Sequence, residues 1–163
     1  MDYHPVVIDH TNLPIAYLAT GEPSLEGHMG YQYNRSWDDA DNSEVNLIRK
    51  RSEKAYPGVV QGTLYFNAWE VAMIHLEAVA RAIKKYGVDN LTGDNLRMIL
   101  ESGEEFDTHG LSGAITYSSW DHQGSHSIRL VRCEGGKTVP VTKFKEGPPL
   151  TPEQRYPDYW IKR

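Results

Sequence analysis

Phe106-Asp107-Thr108-His109-Gly110-Leu111-Ser112-Gly113-Ala114-Ile115-Thr116-Tyr117 is the stretch on which the fold turns, because the apolar pattern changes period across it. Asp107-Thr108-His109-Gly110 carries the chemistry of a loop: an Asx-type turn with a glycine suited to left-handed backbone. Gly113 is expected to hold a similar backbone angle. Downstream the period is two, in Ala114 to Tyr117, Ser127 to Arg132 and Thr138 to Phe144, which predicts strands. Glu134-Gly135-Gly136-Lys137 joins the last two as a hairpin turn.

Upstream the period is 3.6. Trp69, Met73, Leu76, Ala80 and Ile83 recur at helical spacing between Gly62 and Gly87, which predicts a long helix with that stripe inward. Thr92 is placed to cap a second helix from Gly93 to about Ser102, with Leu96, Ile99 and Leu100 inward. Ser43 is expected to cap a third, ending near Tyr56 before Pro57-Gly58. Earlier still, Val6-Val7-Ile8-Asp9 reads as a buried strand, Thr11 to Pro14 as a helix start, and His28 to Tyr33 as a strand before the acidic turn Trp37 to Asn42. Helices in the middle with strands on both sides predict an α/β layer architecture.

With 163 residues, 39% apolar and 24% charged, the chain has the composition of one soluble globular unit. The net charge of −5 comes with no basic cluster beyond Arg49-Lys50-Arg51, which Glu53 follows, so nucleic acid is not an expected partner. No apolar run approaches the roughly 20 residues of a membrane helix, and Met1 to Pro5 lacks the features of a signal peptide, so if the protein is exported its signal is expected upstream. Cys133 is alone, which excludes an internal disulfide and a thiolate zinc cluster.

Seven histidines raise a metal hypothesis, with Asp121-His122, His126, Asp107 and His109 of the right ligand type. Asp121-His122-Gln123-Gly124 lies between two strands, however, where Asp and Gly serve the turn and His can bond backbone carbonyls; no metal site is expected. Catalysis has no support: there is no Gly-x-Ser-x-Gly elbow and no glycine-rich phosphate loop before a helix. No cofactor is implied, and the chain is not expected to be an enzyme.

The segment from Asn67 to Phe144 resembles the end of the type I periplasmic solute-binding proteins of branched-chain amino-acid ABC transporters. The resemblance rests on Glu77-Ala78 with Arg81-Ala82, Asn95 to Leu100, Phe106 to Gly113, Ala114 to Tyr117, Asp121 to Gly124 and Ile128 to Lys137, taken in order. Upstream, Leu25-Glu26-Gly27 matches the start of a strand that crosses between lobes, and Trp160 the family's closing Trp.

The resemblance implies the C-terminal portion of a two-lobed α/β fold, incomplete, with helices on a mostly parallel sheet and a hairpin near its end. Residues 1–30 would belong to lobe two, 31–108 to the helical part of lobe one, 109–147 to returning strands and hairpin of lobe two, and 148–163 to a Pro-rich tail. The implied function is capture of a small polar solute, an amino acid or carboxylate, in the periplasm or outside the cell. The implied partners are a membrane permease and, through surface left by the missing half, a second copy. A cytoplasmic ligand sensor on the same fold and an isolated interaction domain are the alternatives. Counting back from Glu26-Gly27, the family's ligand-contacting position after the lobe-two strand falls at His10, where amino-acid binders carry an acid; Asp9 is beside it. Tyr31, Tyr33, Tyr65 and Trp69 are candidate aromatic walls.

Overall fold

The computed structural model describes residues 8–9, 23–148 and 151, with Ile8 and Asp9 described by backbone alone. His10, the helix start at Thr11 to Pro14, nearly all of the Pro-rich tail and Trp160 lie outside the described residues.

The elements run β1 (Ile8–Asp9), β2 (Met29–Gln32), α1 (Ser43–Ala55), α2 (Thr63–Tyr86), α3 (Gly93–Leu100), β3 (Ile115–Thr116), β4 (Gly124–Ser125), β5 (Ser127–Glu134), β6 (Lys137–Pro140) and β7 (Lys145–Glu146). Asn42, one residue before the expected Ser43, caps α1: its Oδ1 accepts from Val45 N at 2.9 Å. Thr92 caps α3 as expected, its hydroxyl accepting from Asn95 N. Gly62 and Gly87 bound α2, and Gly87 ends it at a φ of 83°, open to glycine at little cost.

The inward face of α2 differs from the expected stripe. Phe66, Ile74, Ala78 and Ala82 are buried, Trp69 and Met73 are half-buried, and Leu76, Ala80 and Ile83 are exposed, Leu76 at 71%. The helix is apolar around most of its girth, so two stripes satisfy the same spacing; the contacts of α1 and α3 select one. Val45 and Ile48 of α1 meet Phe66 and Leu111, with Trp37, Tyr65, Trp69 and Met73 at the margin. Ile74, Ala78 and Ala82 meet Ile99 of α3, Phe106 and Ile115.

The main sheet has the order β1-β2-β5-β6, with β7 beside the start of β5. Among the described residues only β1 and β2 run parallel; β2–β5, β5–β6 and β5–β7 are antiparallel, so the expected parallel character is confined to one pair. The reason is local. Gly135 and Gly136, at φ of 57° and 76°, form a two-residue turn that places Glu134 opposite Lys137, and a turn this tight can only join antiparallel strands.

Residues 127, 129, 131 and 133 of β5 face inward and their neighbours face solvent or the margin. Cys133 is fully buried, and burial pushes its thiol up. Arg129 is buried too, and its guanidinium grips Asp39 with two bonds of 2.5 Å and Gln32 Oε1 at 2.8 Å, below the ring of Phe144. Burial would push the Asp39 carboxyl up. The hydrogen bonds and charge of Arg129, with help from Ser36 N and Arg35, outweigh it and hold the group below its ordinary value.

Gly113 is required for space, not for a left-handed angle as expected from sequence: a Cβ there would sit 1.7 Å from Ser127 Oγ. Gly110 does hold a positive φ, of 75°.

Removing Arg129 strands a buried carboxylate. Arg129→Leu should cost about 3–5 kcal/mol in urea unfolding, and adding Asp39→Asn should restore part of the loss. A double variant no more stable than Arg129→Leu would show that the pair is not coupled.

Candidate functional site

Because β1 and β2 are parallel, their C-terminal ends lie on one side of the sheet, where ligands gather in open α/β sheets. Asp9 ends β1 in register with Gly30. Tyr31 follows on β2 and meets Tyr33 edge to face at 5.9 Å. Tyr65 and Trp69 stand one turn apart on α2, both half-buried against the cluster of Val45, Ile48, Phe66 and Leu111. The strand-end group and the helix group are therefore separate, and Asn34 links them: its Nδ2 donates to Asn67 Oδ1 at 2.6 Å, between Tyr65 and Trp69 in sequence.

The turn at 107–113 is fastened from three sides. Asp107 Oδ1 accepts from His109 N at 2.7 Å, the expected Asx turn. His109 itself takes a φ of 52°, and its carbonyl accepts from Asn42 Nδ2. Arg35 Nε donates to Gly110 O at 2.9 Å and Arg35 N to Leu111 O at 2.6 Å. Glu44 is the residue that sequence reasoning passed over. It reads as an ordinary acid in a first helical turn, yet it is buried, with Oε1 accepting from Trp69 Nε1 and Oε2 facing His109 Nδ1, both at 2.9 Å. The hydrogen bond to Glu44 raises the His109 pKa; burial opposes it, and the charges of Asp107, Glu44 and Glu77 reinforce the rise.

Beside this turn runs a buried polar seam. Asn34 bridges to Ser112, and Thr63, Asn67 and Glu70 follow one another at helical spacing along α2. Asn34 Oδ1, Thr63 Oγ1 and Glu70 Oε1 are buried without a hydrogen-bond partner among the described residues, as is Gln32 Nε2. Burial pushes the Glu70 carboxyl up, and the Ser112 hydroxyl beside it offsets only part of that. None of these residues except Gln32 lies in a strand, and nothing in a local sequence pattern marks residues 33 positions apart as neighbours.

A cavity of about 360 Å³ between α2 and α3 is lined by residues that include Val71, Ile74, Leu96, Leu100, Tyr117 and His122, and by none of the expected site residues. His122 Nε2 faces Glu101 Oε1 at 3.0 Å, a side-chain partner in place of the expected backbone carbonyl. Asp121 accepts from Gln123 N and pairs with His126, and Gly124 has a φ of 82°, so the segment is a turn. Among the described residues no three His, Cys, Asp or Glu side chains converge in a way that could hold a metal, and no helix is long and apolar enough to cross a membrane.

The fold is that of type I periplasmic binding proteins. The structure matches a branched-chain amino-acid ABC transporter protein from Thermus thermophilus with bound valine, at a TM-score of 0.68 and 18% identity over 80% of this chain and 36% of that one. A leucine-binding protein from Thermotoga maritima matches at 0.60 and 15% identity, over 83% and 36%. A solute-binding protein of an ABC transporter from R. palustris in complex with benzoate matches at 0.56 and 19%, over 80% and 34%. The chain thus spans about a third of the length of these relatives. The sequence pattern of the family described as periplasmic binding protein matches residues 11–137, and the chain belongs to that family. A search of curated proteins finds no match.

The raised His109 pKa has a definite sign. The stabilising contact with Glu44 is fully present below the unfolded-state value of about 6.5 and is lost as pH rises through the higher folded value. Thermal unfolding across pH 5.5 to 9 should show this decline in the parent and a flatter profile in His109→Asn, which tolerates the left-handed backbone and is too short to reach Glu44. Identical profiles would remove His109 from the contact.

Proposed function

We propose that this chain forms part of the substrate-binding component of an ABC transporter, working in the periplasm or outside the cell. It captures a small polar organic solute, an amino acid or carboxylate, between two lobes and presents it to a membrane permease. Residues 1–30 and 109–147 contribute to one lobe and 31–108 to the other, with 148–163 as a tail; closure brings the lobes together around a hinge. Family membership and relatives whose names specify valine, leucine or benzoate support a solute-binding role.

The observation that carries the location of the site is the shared C-terminal side of β1 and β2, with the buried polar seam of Gln32, Asn34, Thr63 and Glu70 continuing from it. A polar solute needs hydrogen-bonding groups withheld from water and an aromatic or apolar wall, and this is where both occur. Tyr31 and Tyr33 are the nearer wall in this reading. Tyr65 and Trp69 stand on the other side of α2's first turns, with the Trp69 indole N–H already committed to Glu44. Asp9, which ends β1, and His10, the next residue in sequence, are assigned the polar contacts on the lobe-two side.

A thermal-shift panel of amino acids, carboxylates and aromatic acids tests the reading, since a ligand at 100 times its Kd adds about 2.7 kcal/mol of stability. A shift with at least one class is expected. His10→Ala should then weaken that solute by one to two orders of magnitude, the scale of a lost hydrogen bond to a charged group at about 1.5–3 kcal/mol. Affinity in the parent should also change with pH near 6.5. Unchanged affinity and an unchanged pH profile in His10→Ala would place that residue outside the site.

A further inference from the structure

The cavity of about 360 Å³ between α2 and α3 has no part in the solute-binding reading, because none of the described residues assigned to capture lines it. Its lining divides by exposure. Ile74 is 4% exposed and belongs to the core cluster of α2 and α3, against which Leu96, Leu100 and Tyr117 pack half-buried. Val71, His75, Arg97 and His122 are exposed. The cavity therefore runs from exposed residues, most of them polar, down to apolar core side chains. That layout suits a molecule with an apolar body and one polar end left near water.

The chain's own packing does not close this space. Gly93, the first residue of α3, lines the cavity without a side chain, and a Cβ added there would meet nothing within 4 Å. The volume falls at the low end of small-molecule sites, roughly 300–1,000 Å³.

Charge decides the polar end. Glu101 also lines the cavity and already has a partner, since His122 Nε2 faces its Oε1 at 3.0 Å. Among the described lining residues Arg97 carries the permanent cation, and its acid neighbour Asp94 stands at 3.9 Å, beyond hydrogen-bond distance, with both side chains largely exposed. A pair that open contributes little, so the guanidinium can turn to an incoming carboxylate, which its planar fork matches in shape and charge. A ligand ammonium would instead find Glu101 engaged and would share the cavity with the Arg97 charge.

We infer that this cavity is a binding site for a small apolar acid, separate from the region proposed for solute capture. The apolar part of the acid lies against Val71, Ile74, Leu96 and Tyr117, where it displaces water from surface that the fold leaves uncovered. Its carboxylate meets Arg97. The inference stands on the cavity alone and does not need the transport reading.

The test titrates the full chain, with its methyl groups labelled for NMR, with octanoate and in parallel with octan-1-ol, which keeps the chain and lacks the charge. Octanoate should shift the methyl signals of Val71, Ile74 and Leu96 and saturate, and octan-1-ol should bind about tenfold more weakly or worse, the scale of a charge-assisted hydrogen bond. Arg97→Gln should weaken octanoate by about the same factor and leave octan-1-ol unchanged. Gly93→Phe, which adds a ring to the lining where nothing stands in its way, should weaken both compounds. Methyl shifts that are absent, or that grow without saturating, overturn the inference in the parent protein with no variant needed. So does octanoate that perturbs only the signals of Tyr31 and Tyr33, which would place the acid in the solute region. Equal affinity for the two compounds, or octanoate binding untouched by Arg97→Gln, overturns the assignment of the carboxylate to Arg97.

Discussion

The contact between Arg129 and Asp39 is the constraint from which the rest of the arrangement follows. Arg129 projects from the buried face of β5, and Asp39 lies in the turn that carries the chain from β2 to α1, 90 positions earlier. Their bidentate bond, with Gln32 on the remaining edge of the guanidinium, sets where the chain leaves the sheet and enters the helical region. Asp39 also accepts from Ser36 N and Ser36 Oγ, so the same carboxylate shapes the turn. Such a pair gains little net stability over apolar residues of the same volume, because desolvation opposes the attraction. What it fixes is geometry, since neither partner can be buried without the other.

The segment from Phe106 to Gly113 depends on that geometry. Phe106 enters the cluster of α2 and α3, while Leu111, five residues later, enters the cluster of α1 and α2. One turn therefore couples two cores, and Arg35, placed by its contact with Asp39, fastens it through Gly110 and Leu111. Close approach is the second requirement: Gly113 runs so near Ser127 that no side chain fits. The sequence motif and the tertiary contact are thus the same feature, one seen along the chain and the other across it.

This explains what could be read in advance and what could not. Local chemistry announces itself, so the bounds of α2 at Gly62 and Gly87, the Thr92 cap, the Gly135-Gly136 hairpin and the Asp107 turn were legible. The order of such signals was enough for the family. Phase was harder: Leu76, Ala80 and Ile83 obey the same spacing as Ile74, Ala78 and Ala82, and only the position of α3 decides between them. Asn42 and Ser43 are both good caps, and the choice between neighbours is decided by how the chain enters from the acidic turn. Of the expected site residues, Asp9 ends β1 and Tyr31 lies in β2. The polar residues Asn34, Asn67, Glu44 and Glu70 could not be found this way, because each is matched to a residue far off in sequence.

Three acids, Asp39 and Glu44 buried and Glu70 half-buried, differ in the partners the fold gives them. Asp39 meets a guanidinium in bidentate geometry and is held ionised. Glu44 meets an indole N–H and an imidazole near the N-terminus of α1, where the helix dipole also favours negative charge. Each of these has a complete set of partners within the fold, and each ties elements together. Glu70 has a hydroxyl beside it and one oxygen unmet, and burial shifts it toward the neutral acid. An acid whose compensation lies within the chain can be accounted for by folding alone. Glu70 lacks such a partner among the described residues, and its shift toward the neutral acid lowers the cost of burying it there.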